Sequence, residues 1–283
     1  MITFLDRLVA ERRAEVAAAR KREPSLGAAL RDAPAVRPFR HTLVMRASGG
    51  HVAVIAEVKR TSPAAGPLAD PAFDPRTQAL LYAAAGAAAI SVLTEPRHWG
   101  GSFEDLRAVR AMVKLPVLCK DVIVDEYQVW QARAAGADAV LLIAEALGDA
   151  ELERLIDLVT DLGMEPVVEA HDTVAFGRAA RSKARVIGAN ARDLRDPAVI
   201  DRSRARLLHT FVRPHQVYVA ESGIASAADL VELPARVDAV LVGTALMRAA
   251  DPAALLRTLT TAKRSPVPAG RVVVLADHDP PAQ

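Results

Sequence analysis

Gly136-Ala-Asp-Ala-Val-Leu-Leu-Ile143 is the stretch on which the fold turns. A glycine at the end of an Ala- and Arg-rich segment supplies a left-handed stop for a helix, and the unbroken apolar run that follows reads as a strand. A strand with no polar alternation suits burial on both faces, the condition of a parallel sheet covered by helices. The same helix stop and strand entry recur at Gly86-Ala-Ala-Ala-Ile90 and Val237-Asp-Ala-Val-Leu241. Outward from these, eight short apolar runs are found: Val52–Ala56, Ala89–Leu93, Pro116–Cys119, Ala139–Ile143, Pro166–Val168, Arg185–Ala189, Val217–Ala220 and Ala239–Val242. The segments between them are long enough for right-handed helical crossovers. Helices are expected at Phe103–Met112 after Ser102, at Asp125–Ala135 ending on Gly136, and at Ala150–Leu162 ending on Gly163. Eight βα units with no dinucleotide glycine fingerprint after the first strand predict an α/β protein, a closed (β/α)8 TIM barrel in place of a doubly wound sheet.

The barrel is expected over residues 51–264. Residues 1–50 read as a helical extension packed on it, because Phe4, Leu5, Leu8 and Val16 can share one helical face. Residues 265–283, rich in Pro and Val, read as a surface tail. The 283 residues are 51% hydrophobic and 25% charged, and 36 Lys+Arg against 34 Asp+Glu leave a net charge of +2. With aromatics at 4% and charges interspersed, no basic stacking surface for nucleic acid is built, so no nucleic-acid partner is expected. A single cysteine, Cys119, excludes an intramolecular disulfide and a cysteine-based zinc cluster, which fits a reducing compartment. Met1–Arg22 lacks the apolar run of a signal peptide and no run of about 18 apolar residues occurs. Cytoplasmic residence, no membrane partner and a monomer, with an oligomer left open, are the expectations.

In such a barrel chemistry sits at the C-terminal ends of the strands. Here those ends are polar. The runs are followed by Glu57 and Lys59, Thr94 and Glu95, Lys120 and Asp121, Glu169, Asn190 and Arg192, Glu221 and Ser222, and Gly243 and Thr244. Caps and surface ion pairs account for individual members. Two lysines and two or three carboxylates converging on one rim, however, would shift each other's ionisation, which is how a site obtains an acid and a base at neutral pH. Glu221-Ser-Gly-Ile224 and Val242-Gly-Thr-Ala245 follow the last two runs, where barrels often cradle phosphate with exposed backbone amides. Tight-turn geometry alone would also place glycine there.

Several motifs, in order along the chain, resemble the indole-3-glycerol phosphate synthase family. They are Ile55-Ala-Glu-Val-Lys-Arg-Thr-Ser-Pro63, Ser91-Val-Leu-Thr-Glu-Pro96 with Gly101-Ser102, Leu115-Pro-Val-Leu-Cys-Lys-Asp121, Val168-Glu-Ala-His-Asp172, Ile187-Gly-Ala-Asn-Ala-Arg-Asp-Leu194 and Ala220-Glu-Ser-Gly-Ile224. The resemblance implies a sugar-phosphate substrate, 1-(2-carboxyphenylamino)-1-deoxyribulose 5-phosphate. Its ring would be closed with loss of CO2 and water, without cofactor or metal. By the same resemblance Lys120 is the general acid, supported by Glu169 and Asn190. Glu57 and Lys59 serve the later dehydration, and the division of acid and base roles stays open. Ser222 and Glu221 hold the substrate, Ser62, Gly223, Gly243 and Thr244 with Lys59 hold its phosphate, and Pro63, Trp99, Val122, Leu141 and Arg192 complete the substrate site.

Plainer roles stand beside these: an ion pair for Glu57 and Lys59, a rim lysine for Lys120, a structural carboxylate for Glu169, an exposed loop position for Trp99. His98 and His171 read as loop or cap residues, since no second metal-type residue stands at a ligand spacing. The chain departs from the family pattern at Ala64, where serine is usual, at Val122, where an aromatic is usual, and in Gly188-Ala-Asn-Ala-Arg192. Losing an aromatic wall weakens aryl packing by on the order of 1 kcal/mol. Two further readings follow, a paralogue acting on a related aryl-amino sugar phosphate and a non-catalytic barrel that binds phosphorylated sugars.

Overall fold

In the computed structural model, which describes residues 2–263 other than Pro24, Ser48, Gly49 and Pro71, all eight apolar runs are strands. They are β1 (Ala53–Val58), β2 (Ala89–Leu93), β3 (Val117–Lys120), β4 (Ala139–Ile143), β5 (Glu165–Ala170), β6 (Val186–Asn190), β7 (Val217–Glu221) and β8 (Ala239–Val242). Each pairs in parallel with its sequence neighbours, and β1 closes on β8 with Ala53 opposite Ala239. The expected tail at 265–283 lies outside the described residues.

Three strands keep their expected limits. The other five run on to include Glu57, Lys120, Glu169, Asn190 and Glu221. A parallel ladder is held by backbone hydrogen bonds, so it continues past the point where the side chains stop being apolar. The period of two then turns these polar residues into the lumen, in line with Ala53 and Ile55 on β1 or Val217 and Val219 on β7. The alternate residues, such as Val54, Ala56, Val140, Leu142, Tyr218 and Val240, pack outwards against the helices.

The shell consists of α4 (Pro75–Ala84), α5 (Phe103–Met112), α6 (Glu126–Ala134), α7 (Asp149–Asp161), α8 (Thr173–Arg181), α9 (Arg204–Leu208), α10 (Ala227–Val231), α11 (Thr244–Arg248) and α12 (Pro252–Thr261). Helix α5 has its expected limits, with the Ser102 hydroxyl accepting from the Asp105 amide at 3.0 Å. Helix α6 begins one residue late because Asp125 caps it, and α7 begins one residue early. The stops at Gly86, Gly136 and Gly163 all take positive φ, where a Cβ would be strained. The aspartate of the recurring strand entry also has a physical role. Asp138 accepts from the Val117 amide at 2.8 Å and Asp238 from the Tyr218 amide at 2.8 Å, each satisfying a donor in the first two residues of the preceding strand.

Three helices precede the barrel: α1 (Phe4–Arg22), α2 (Gly27–Arg31) and α3 (Phe39–Ala47). Helix α1 lies across the C-terminal ends of the strands, burying Leu5, Leu8 and Val16 as expected; Phe4 is only partly buried. The same face carries Arg12, buried, whose guanidinium reaches Asp121 at 2.9 Å. Helix α3 closes the opposite end. The lowest inward positions of β1, β2, β4 and β8 are Ala53, Ala89, Ala139 and Ala239, too small to fill the lumen, and Phe39 and Leu43 occupy the space. Burying two such side chains contributes roughly 3–6 kcal/mol before entropy.

Candidate active site

The upper lumen opens into a cavity of about 350 Å³. Every residue expected in the site lines it: Glu57, Lys59, Ser62, Pro63, Trp99, Lys120, Val122, Leu141, Glu169, Asn190, Arg192, Glu221, Ser222, Gly223, Gly243 and Thr244. They come from six strands, β1 and β3 to β7, and from the segments that follow β1, β2, β3, β6, β7 and β8.

At its floor the Lys120 ammonium lies 3.0 Å from Glu169 Oε2 and 2.9 Å from Glu221 Oε2. Burial disfavours the charged lysine, but Glu169, Glu221 and Glu57 together outweigh it and raise its pKa. Lys120 is therefore an ammonium at neutral pH. Burial likewise opposes ionisation of Glu169, and Lys120, a hydrogen bond from Glu221 and the Asn190 amide at 3.4 Å reverse that and hold its pKa below the ordinary value. Glu221 has the opposite fate: burial and the charge of Glu169 push it up to about 8 despite Lys120. Like charges this close cannot both ionise, so one proton resides on Glu221. Its Oε1 is buried without a hydrogen-bond partner and lies where a side chain on Gly188 would stand. Glycine at 188 makes room for that carboxyl.

A second pair sits across the lumen. Lys59 Nζ is 2.6 Å from Glu57 Oε1, and both atoms press against Gly243, where a Cβ would lie 2.9 Å from Lys59 Nζ. Lys59 is thereby held beside the Gly243–Thr244 turn. Its neighbour Arg60 turns away, ion-paired with Asp105 at the start of α5 and stacked over Phe73 at 5.6 Å. This anchors the loop after β1, in which Thr61–Ser62 pairs antiparallel with Gly66–Pro67, a small hairpin that the sequence reading did not include. Beyond β7 the chain turns sharply through Ser222 (φ 67°) and Gly223 (φ 76°). Ser222 is the only non-glycine at positive φ among the described residues. That conformation costs about 1–2 kcal/mol, and it brings residues 222–224 to the cavity wall.

Two acids at strand ends turn out to hold the frame. Glu95 accepts from the amides of Arg97, His98 and Trp99 at 3.0, 2.7 and 3.0 Å, which fixes Trp99 at the wall rather than on an exposed loop. Asp121 accepts from Thr94 Oγ1 at 2.7 Å, the Val122 amide at 2.7 Å and Arg12. Burial raises its pKa in spite of Arg12. Both carboxyls are committed to these frame contacts. His98 binds Glu11 of α1 at 2.8 Å, and His171 binds a backbone carbonyl. Among the described residues no three His, Cys, Asp or Glu are grouped to hold a metal ion.

The model of the indole-3-glycerol phosphate synthase family matches residues 5–259. The chain belongs to that family. Its relatives named indole-3-glycerol phosphate synthase include one from Nocardioides sp., 49% identical over 83% of this chain and 88% of the relative, and one from Streptomyces griseus, 48% identical over 77% and 81%. Indole-3-glycerol phosphate synthase 1 of Streptomyces coelicolor is 44% identical over 94% of this chain and 97% of its own. Among solved structures, the tryptophan synthase alpha chain of Legionella pneumophila superposes with a TM-score of 0.59 at 13% identity, covering 81% of this chain and 97% of that one, a likeness of fold alone.

Several lining residues of this synthase-family site escaped the sequence reading. Leu194, Pro197 and Ile200 come from the loop after β6, which Arg192 closes by pairing with Ile200 and donating to the Pro197 carbonyl. Burial lowers the pKa of Arg192, with Glu57 opposing. Arg202, ion-paired with Asp229 at 2.9 Å, and Arg248, which donates to the Ala65 carbonyl at 3.1 Å, stand at the rim beside Gly223 and the hairpin. Arg12 had a readable signal, a charge at i+4 from Leu8 and i−4 from Val16 in an apolar stripe.

Proposed function

We propose that this chain converts 1-(2-carboxyphenylamino)-1-deoxyribulose 5-phosphate to indole-3-glycerol phosphate. The observation that carries the reading is one buried ammonium, Lys120, held between an ionised and a protonated carboxyl at the floor of a cavity lined with apolar side chains. The ring carbon bearing the carboxylate attacks the ribulose carbonyl, and Lys120 gives its proton to the oxygen as charge develops there. Glu169, itself held by Asn190, keeps the ammonium aimed. Loss of CO2 from the attacking ring carbon, which gives its bonding pair back to the ring, restores the aromatic system. The hydroxyl then leaves as water, with proton delivery and removal shared among Lys59, Glu57, Lys120 and the Glu169–Glu221 pair. Trp99, Val122 and Leu141 flank the aryl group, and Arg192, Pro63, Ser222 and Glu221 orient the substrate. Lys59, Ser62, Gly223, Gly243 and Thr244 hold the phosphate.

The test is incubation of purified protein with that substrate, followed by the fluorescence of the indole product, with Lys120→Ala alongside. Turnover by the wild type and its loss in the variant are expected. Binding without turnover would favour a non-catalytic barrel, and turnover only with altered aryl substituents a paralogue.

A further inference from the structure

His171 stands just past the end of β5, outside the proton-transfer cluster, yet it is buried, 6% exposed. Its ring Nδ1 lies 2.8 Å from the backbone carbonyl oxygen of Asn190. A carbonyl only accepts, so Nδ1 carries the hydrogen and Nε2 faces the Asp193 carboxylate, 3.9 Å away. The position is telling. Pairing between β5 and β6 ends at Ala170 opposite Ala189, so the carbonyl of Asn190 lies beyond the last paired residues, and the imidazole bonds it there. The backbone of His171 is fixed in turn. Its amide donates to Glu145 Oε1 at 2.6 Å, and the Asp172 amide donates to the same oxygen at 3.0 Å. Glu145 comes from the turn after β4, so the ends of β4, β5 and β6 are tied together at the level where Glu169 and Asn190 converge on Lys120.

We propose that His171 is a positioning residue for the reaction, holding the end of β6 so that the Asn190 amide keeps Glu169 directed at Lys120. This deepens the synthase reading and rests on it. The imidazole is not among the residues that line the main cavity; it acts through Asn190. The link is through Nδ1, and that gives it a chemical signature. An asparagine side chain can set its amide nitrogen where Nδ1 stands, whereas glutamine reaches towards the position of Nε2.

Turnover and the side-chain amide resonances of Asn190 are to be measured in wild type, His171→Ala, His171→Asn and His171→Gln, each at full folding by circular dichroism. The alanine variant is expected to lose about tenfold to a hundredfold in kcat at a KM within about twofold, the scale of a small misplacement in a catalytic array. The asparagine variant recovers most of that loss and the glutamine variant does not. Without substrate, the Asn190 amide signals shift in the alanine variant and return in the asparagine one. Unchanged kcat in His171→Ala, equal rescue by glutamine and asparagine, or unmoved Asn190 signals would each overturn the proposal. Absence of turnover in the wild type would instead defeat the synthase reading, and the resonances would still decide whether His171 positions Asn190.

Discussion

At the lower end of the barrel, Asp138 accepts from the amides of Arg37 and Val117 at 2.7 and 2.8 Å and from Arg110 at 3.1 Å. At the upper end, Glu221 is as deeply buried, yet one of its oxygens has no partner and the other shares Lys120 with a second carboxylate. Both ends bury charge, and both perturb it: burial raises the pKa of Asp138, with the Arg37 and Val117 amides and the cations opposing, as it raises that of Glu221. The difference lies in what the hydrogen-bonding capacity is spent on. Below, backbone donors and arginines use it up and the result is a fixed joint between strands. Above, acids face acids across a single ammonium, and a proton has more than one place to go. A shifted pKa alone does not separate the two; unfilled capacity facing a cavity does.

The largest effect expected from this contrast is in Lys120→Met. Its turnover should fall by about 10²–10⁴-fold, the range for a lost general acid, whereas Asp138→Ala should leave kcat of the folded protein within about twofold. The lower variant should instead lose about 3 kcal/mol of stability in denaturant titration, because removing one partner strands buried donors. Comparable loss of kcat in both variants would dissolve the distinction. Next in size is Gly188→Ala. Its methyl group would occupy the place of the Glu221 carboxyl, and a tenfold to hundredfold loss of kcat with near-normal folding is expected, at the scale of a small displacement of catalytic groups.

A subtler test uses pH. Glu221 is raised from 4.5 to about 8, so between those values the folded chain holds a proton that the unfolded chain has released. The stabilisation from that proton is complete below about pH 4.5 and is lost as pH rises through about 8. The Tm of wild type relative to Glu221→Gln should therefore decline from pH 5 to pH 9; a flat difference would mean that Glu221 ionises as an ordinary carboxyl. The smallest effect concerns the apolar wall of the upper end. Val122→Phe should change KM by less than about tenfold and kcat hardly at all, measured across substrates with different aryl substituents, because it adds packing and no proton-transfer group.

The barrel was legible because its strands are continuous apolar runs and its helix stops are glycines, signals that survive without any tertiary information. The clipped ends of β1, β3, β5, β6 and β7 show the limit of that signal: hydrophobicity ends at the lumen's polar rim while the ladder does not. The residues that line the cavity were readable as a set by their place after each run. Their pairing was not. That Lys120 meets Glu169 and Glu221 while Lys59 meets Glu57 depends on barrel closure, and that Glu95 and Asp121 are committed to frame contacts depends on loops and on α1. Nor does the letter Gly at 188 or 243 reveal that a carboxyl fills the space a side chain would take.

The segment that runs from α1 over the top to α3 beneath the floor carries a consequence for the order of assembly. Arg12 bonds a residue 109 positions later and Arg37 one 101 positions later. Synthesised ahead of the barrel, this segment cannot complete those contacts until β3 and the entry to β4 exist, and contacts of such long range form slowly. Phe39 and Leu43 thus stay uncovered until the barrel has a lumen to receive them. The strap is synthesised ahead of the barrel that receives it, and a barrel left unfinished would keep those two apolar side chains in reach of chaperones and proteases.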